Sequence, residues 1–376
     1  MEGAGMGEAG MGEAGAAPAQ SRRGPAGHGG RQRSARPRHS RWRLGTPFVV
    51  LNATALATVF VRWSWMAFAL GAVSYTARAF GITAFYHRCF AHRSFRVPRV
   101  VQFAGALLGA AAAQRGPLWW AAHHREHHLY TDRPGDPHSP VVDGFWYSHV
   151  LWIFDPANAA TRYSRVEDLA RFPELDLLDR FEYVAPGALL AGCALLGALS
   201  APASPLAGAL SMAVWGFVLP TVLLYHSTFA VNSLAHRFGS RRFDTRDESR
   251  NNWLISALVL GEGWHNNHHR FPNSARQGLA RHELDPTWWG IRAMSAVRLA
   301  GGVRRPPAWA MAAARTRASS RPDAGGATPP RSRSGRVGAT APAGPPATPV
   351  AQPEGDRGRL ASSSTAANSS SARLPL

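Results

Sequence analysis

The segments HREHH at residues 124–128 and HNNHH at 265–269, with HRCFAH at 87–92 and NSLAH at 232–236, hold nine of the sixteen histidines of this 376-residue chain. On an α-helix, positions i, i+3 and i+4 share one face. Each HxxHH segment therefore aims three imidazoles in nearly one direction. Imidazole suits zinc, copper, iron and nickel, and a structural zinc site closes with four ligands. Nine ligands are too many for one ion and enough for two, each keeping an open position. His87 and His92, five residues apart, diverge by about 140° on an α-helix, so they are expected to serve different ions.

The other histidines read differently. A lone histidine on an apolar face is a satisfied core residue, and His28, His39, His226 and His282 are read so. His123 extends the second cluster but points off its face, and His138 and His149 lie in an Asp/Pro/Gly-rich loop; structural or orienting roles are expected for all three. Asp132, Asp136, Glu126 and Glu262 are the acids placed to orient metal-binding imidazoles.

Around the histidines the chain is strongly apolar. Residues 47–86 supply two helices joined by a turn at Arg62-Trp-Ser-Trp65, and residues 183–229 divide near 200–205 into two more. The expected fold is all-α: four transmembrane helices in two hairpins, with a cytoplasmic helical cap that carries the histidines. Trp63 and Trp65 sit at an interface. The apolar stretch 100–113 is short for a span and reads as an interfacial, re-entrant or core helix.

The ends differ from this core. Residues 1–44, with a repeated GMGEAG unit, and residues 301–376, dominated by Pro, Ser, Ala, Gly and Arg, read as disordered tails around a domain at 45–300. All 42 basic residues are arginine, which against 23 acids gives a formal charge of +19. No nucleic-acid-binding motif accompanies that charge, so nucleic acid is excluded as a partner; basic flanks beside apolar segments fit the anionic face of a membrane. Two cysteines, one in an apolar run, give no disulfide framework. Residues 1–20 lack the apolar run of a cleavable signal peptide, so insertion is expected to use the internal segments.

The motifs GITAFYHRCFAHRSF, WWAAHHREHHLYTDRPGDPHSP, NSLAHRFGSRRF and GEGWHNNHHRFP stand in one order. Through them, from about Thr46 to Leu299, the chain resembles the membrane-bound acyl-CoA desaturases of the stearoyl-CoA (delta-9) type. The resemblance implies that His87, His92, His124, His127, His128, His236, His265, His268 and His269 hold two non-haem irons, and that Asn232 reaches one of them through water. It implies O2 as co-substrate and insertion of a cis double bond between carbons nine and ten of a long saturated acyl chain. Gln114, Trp120 and Thr228 match residues that enclose the bend of that chain; Tyr75 and Ala79 match positions near the tunnel's closed end. After Trp152 this chain reads IFDPANAATRYS, without the basic pair that meets CoA in animal members. That departure counts against CoA, which nevertheless remains the first choice of carrier, with acyl carrier protein or an intact membrane lipid behind it.

The chain has no His-Pro-Gly-Gly haem motif, no CxxC and no GxGxxG after a strand. A separate ferredoxin, rubredoxin or cytochrome-type donor with its reductase is the expected partner. The expected location is a bacterial cell membrane, multi-pass, with the histidines facing the cytoplasm. A related di-iron hydroxylase is the nearest alternative, and a metal-storing membrane protein the alternative outside enzymes.

Overall fold

The computed structural model describes residues 41–319, and among these no β-strand occurs, only three isolated bridges. Helix α1 spans Arg41–Leu56 and α2 spans Trp65–Phe80. Between them lies the turn expected from the tryptophans. Ser64 caps α2, its hydroxyl accepting the Ala67 N–H at 3.1 Å. Trp63 and Trp65 stay exposed, at 55% and 76%.

α2 does not end at Phe80. It passes directly into an eleven-residue π-helix, Gly81–Ala91, buried along its whole length. Helix α3 (Arg99–Ala110) packs on that segment at backbone distance: a Cβ at Gly81 would stand 2.6 Å from the Gly109 nitrogen, and one at Gly105 2.0 Å from the Phe85 ring. Only glycine permits this approach. α3 resolves the short apolar stretch at 100–113 as a helix half-sunk in the core.

Helix α4, Pro117–Tyr130, carries HREHH; Pro117 opens it at a position whose missing N–H costs nothing. After α5 (Phe145–His149) and short helical turns come α6 (Pro173–Arg180), α7 (Val184–Ser200) and α8 (Pro205–Ser233). The expected break at 200–205 is the α7–α8 turn. α8 leads to His236, and α9 (Trp253–Leu258), α10 (His265–Arg270) and α11 (Pro286–Ala296) complete the cap.

By length and hydropathy, α8 alone is long and apolar enough to cross a membrane among the described residues; α6 and α7 pass together but meet at a 69° bend. The first hairpin turn lies against the first half of α8, since Ser211 Oγ donates to Arg62 O at 2.8 Å and Trp215 Nε1 to Val61 O at 3.2 Å.

Ordered structure overruns both expected boundaries. α1 starts at Arg41, and α12 (Ala308–Ser319) follows a bridge between Gly301 and Arg96. Met311 and Ala314 of α12 pack on Leu279 and Ala280. Ala, Met and Trp supply helix formers and an apolar contact where composition alone suggested a tail. The rest of the two tails lies outside the described residues, as do His28 and His39.

Candidate metal centre

The nine histidines converge into two groups. His87, His92, His124, His128 and His268 form one, and His127, His236, His265 and His269 the other; within each, ligand nitrogens lie within 4.8 Å of one another. The HxxHH segments do not act as units. On α4 the i, i+4 pair His124 and His128 joins the five-membered group while His127 turns to the other. On α10, His265 and His269 enter the four-membered group and His268 crosses back. A helical face wide enough for three rings thus serves two neighbouring foci.

His87 and His92 fall in one group, against the expectation that they serve different ions. The reason is the π-helix. Its i→i+5 hydrogen bonds bring residues five apart into register, and His92 N donates to His87 O at 3.1 Å. The 140° divergence belongs to an α-helix that this segment does not form.

Carboxylates set the ring orientation. Asp136 meets His127 Nδ1 at 3.0 Å, Asp132 meets His236 Nδ1 at 2.9 Å, Glu262 meets His87 Nδ1 at 2.5 Å and Asp247 meets His269 Nδ1 at 3.1 Å. Each acceptor holds the proton on Nδ1 and leaves the Nε2 lone pair pointing inward. Three of these acids were anticipated. Glu126 is different: it pairs with Arg162 instead of an imidazole. Asp247 was missed, because its 22-residue separation from His269 leaves no local spacing to read. Arg88 was missed too; fully buried, it donates to Glu262 and Asp285 and so fixes the acid that holds His87.

Inward, the Nε2 atoms crowd one another. His92 to His124 is 2.8 Å, His124 to His128 3.1 Å, His128 to His268 2.9 Å and His268 to His87 3.1 Å. In the second group His265 stands 3.0 Å from both His236 and His269. Two of those three rings are committed to Nδ1–H, so His265 has one proton at most for two lone pairs. Such a ring of donors is repulsive unless cations occupy its foci. The residues present fit metal.

Electrostatics agree. Burial, then the neighbouring imidazoles, pushes His92, His124, His128, His265 and His268 well below the ordinary 6.5, which keeps them neutral and able to ligate. Burial also lowers His269, to about 4, against the pull of Asp247. His127 is the exception: burial opposes its charge, but the Asp136 carboxylate outweighs this and raises it.

An apolar cavity of about 70 Å³ reaches the two groups. His87, His124, His127 and His265 stand at its inner end, and Gln114, Trp120, Thr228 and Asn232 are in its wall. Gln114 donates to Thr228 at 3.0 Å, and Trp120 stacks on His124 with centroids 5.0 Å apart. Through Trp119, Trp152 and Phe229 the cavity continues into a second chamber that extends to Arg115, Glu182 and the exposed Tyr183. Tyr75 and Ala79 do not line either chamber. Tyr75 borders a separate groove and bonds Ser227 Oγ and Leu258 O; Ala79 is sealed in the core.

His123 bonds Trp119 O, His138 stacks on His127, and His149 and His226 bond each other. None of them belongs to the five- or four-membered group. His282 is exposed.

Residues 63–300 match the family model described as fatty acid desaturase. The chain is 38% identical to an acyl-CoA 5-desaturase of Anemone leveillei, over 68% of this chain and 77% of the relative. It is 41% identical to an sn-2 palmitoyl-lipid 9-desaturase of Nostoc sp., over 71% and 91%. It is 38% identical to a delta-9 acyl-lipid desaturase of Arabidopsis thaliana, over 67% and 83%.

Proposed function

Because the chain belongs to the fatty acid desaturase family, and is thereby an oxidoreductase of lipid metabolism, we propose that it inserts a cis double bond into a long saturated acyl chain, at the delta-9 position. The observation that carries this is that the nine-imidazole site opens onto an apolar cavity, which His87, His124, His127 and His265 line. In the overall reaction a –CH2–CH2– unit, O2, two electrons and two protons become an olefin and two waters. Two irons bound by the nine histidines would supply the redox chemistry that an unactivated methylene requires and that side-chain acids and bases lack.

The chain's own residues do the rest. The carboxylates on Nδ1 keep their imidazoles oriented, and burial, then the neighbouring rings, keeps His92, His124, His128, His265 and His268 neutral. Trp119, Trp120, Trp152 and Phe229 exclude water along the acyl path. The Gln114–Thr228 pair places a polar latch in an otherwise apolar wall. Asn232, four residues before His236, faces the cavity beside His265, a position that suits contact through water.

Long-chain acyl-CoA is the proposed substrate, and a membrane-lipid ester the second reading. The second is favoured by the relatives named for acyl-lipid substrates and by the absence of a basic pair after Trp152. Purified, iron-loaded protein with donor, reductase and labelled stearoyl-CoA or palmitoyl-lipid decides both carrier and reaction. An olefin is expected; a predominant alcohol would identify a hydroxylase, and bound iron without O2 consumption a storage protein.

We also propose the four-span, two-hairpin topology with the histidines on the cytoplasmic face of a cell membrane. Large apolar side chains exposed on α2, α7 and α8, among them Val73, Leu195, Leu199, Leu206 and Leu223, fit lipid contact. Trp65 and His87 are separated by about 30 Å of helix, the thickness of a bilayer core. α1 and α7 are short for independent spans and would cross as partners of α2 and α8.

A further inference from the structure

Outside the acyl path, a second concave surface reaches the histidine site. Two adjoining hollows share Asn273 and Arg304, and their linings include Arg93, Arg125, Arg165, Arg270, Arg304 and Arg305 without a single carboxylate. Asp168, just behind, bonds both Arg93 and Arg125, and Glu126 is 4.0 Å from Arg165 while paired with Arg162. Among the described residues no carboxylate lies within 4.0 Å of Arg270, Arg304 or Arg305. The hollow is thus left strongly positive.

Its floor contains His92. That ring touches four others of its group: it bonds His124 at 2.8 Å, and its centroid lies 4.5 to 4.8 Å from those of His87, His128 and His268. No residue lines both this hollow and the acyl cavity, and His92 does not line the cavity. The next residue, Arg93, is held at φ 51°, a costly left-handed conformation for arginine, by its N–H bond to Cys89 O at 3.1 Å. The chain therefore turns away immediately after His92 and leaves its edge at the hollow.

We infer that this arginine-lined hollow is the docking surface of an acidic one-electron carrier protein, with His92 as the point where electrons enter the histidine site. The inference rests on the oxidoreductase reading above, in which each turnover oxidises two equivalents of reduced carrier. A positive concavity steers a negative partner and makes the encounter salt-dependent. Short-lived redox encounters need only a small interface. A substrate phosphate does not explain the surface, because the acyl cavity extends elsewhere, to Arg115 and Tyr183.

The test uses the full-length, iron-loaded protein in lipid nanodiscs, with an acidic two-iron ferredoxin and an acidic cytochrome domain as probes. Wild type should bind at least one probe, more weakly as salt rises. R270E/R304E should weaken that binding at least tenfold and raise the KM for the carrier by a similar factor, while R270K/R304K retains both values. Olefin formed in a single turnover after chemical reduction should be the same in all three proteins. The inference is overturned if wild type binds neither probe, or if R270E/R304E binds within twofold of wild type. It is equally overturned if the double variant loses only inorganic phosphate or anionic vesicles. Absence of olefin from chemically reduced wild type would defeat the desaturase reading instead, with the binding data still judging the surface.

Discussion

Asp136 and Glu126 are both buried acids near HREHH, yet only Asp136 touches a site imidazole. Asp136→Asn should lower metal affinity by about 10–100-fold, the usual cost of losing a carboxylate behind a histidine ligand. Glu126→Gln should leave it unchanged. Metal content after dialysis against graded chelator separates the two, and equal losses would reject the orienting role. His123 allows a pH prediction outside the metal groups. Burial lowers it to about 3, against a bond to Trp119 O that raises it. The folded state therefore binds fewer protons than the unfolded state between pH 3 and 6.5. The contribution is whole above about 6.5 and is lost as pH falls, by at most about 1.4 kcal/mol per pH unit. His123→Gln should flatten the fall of the thermal midpoint over this window; an unchanged slope would remove His123 as its source.

Elements are where sequence and structure part. The hairpin turns near Arg62–Trp65 and 200–205 were legible from charge, tryptophan and proline, and the nine histidines from their spacing alone. Their sharing between two foci was not, because HxxHH fixes a face and not how that face divides. The π-helix at Gly81–Ala91 was also invisible. No residue type marks it, and the glycines of α3 that let it pack become meaningful only when the two elements touch. That register is testable. If this segment were α-helical, the partner of His87 would belong at position 91, so A91H/H92A should restore metal binding. In the π-helix it should lose as much metal as His92→Ala. Recovery of wild-type metal content in the double variant would refute the π register.

At the scale of the whole molecule, the proposed four-span topology requires both hairpin turns on one side of the membrane and all four histidine segments on the other. The hydrogen bonds from Ser211 and Trp215 tie the backbone of the first turn to α8 of the second hairpin, so neither hairpin can be inverted alone. α2 and α8 then run in the same direction and deliver His87, His92 and His236 to one end. Cysteine labelling tests this without reference to activity, since the native Cys89 and Cys193 are both buried and present little background. Ala203→Cys, in the α7–α8 turn, should react with an impermeant maleimide added outside intact cells. Asp244→Cys, at a fully exposed side chain in the cap, should react only after the cells are opened. Labelling of both from one side would place the turns and the histidines on a common face. The four-crossing arrangement would then fall, because α2 and α8 could no longer carry their histidines through the bilayer.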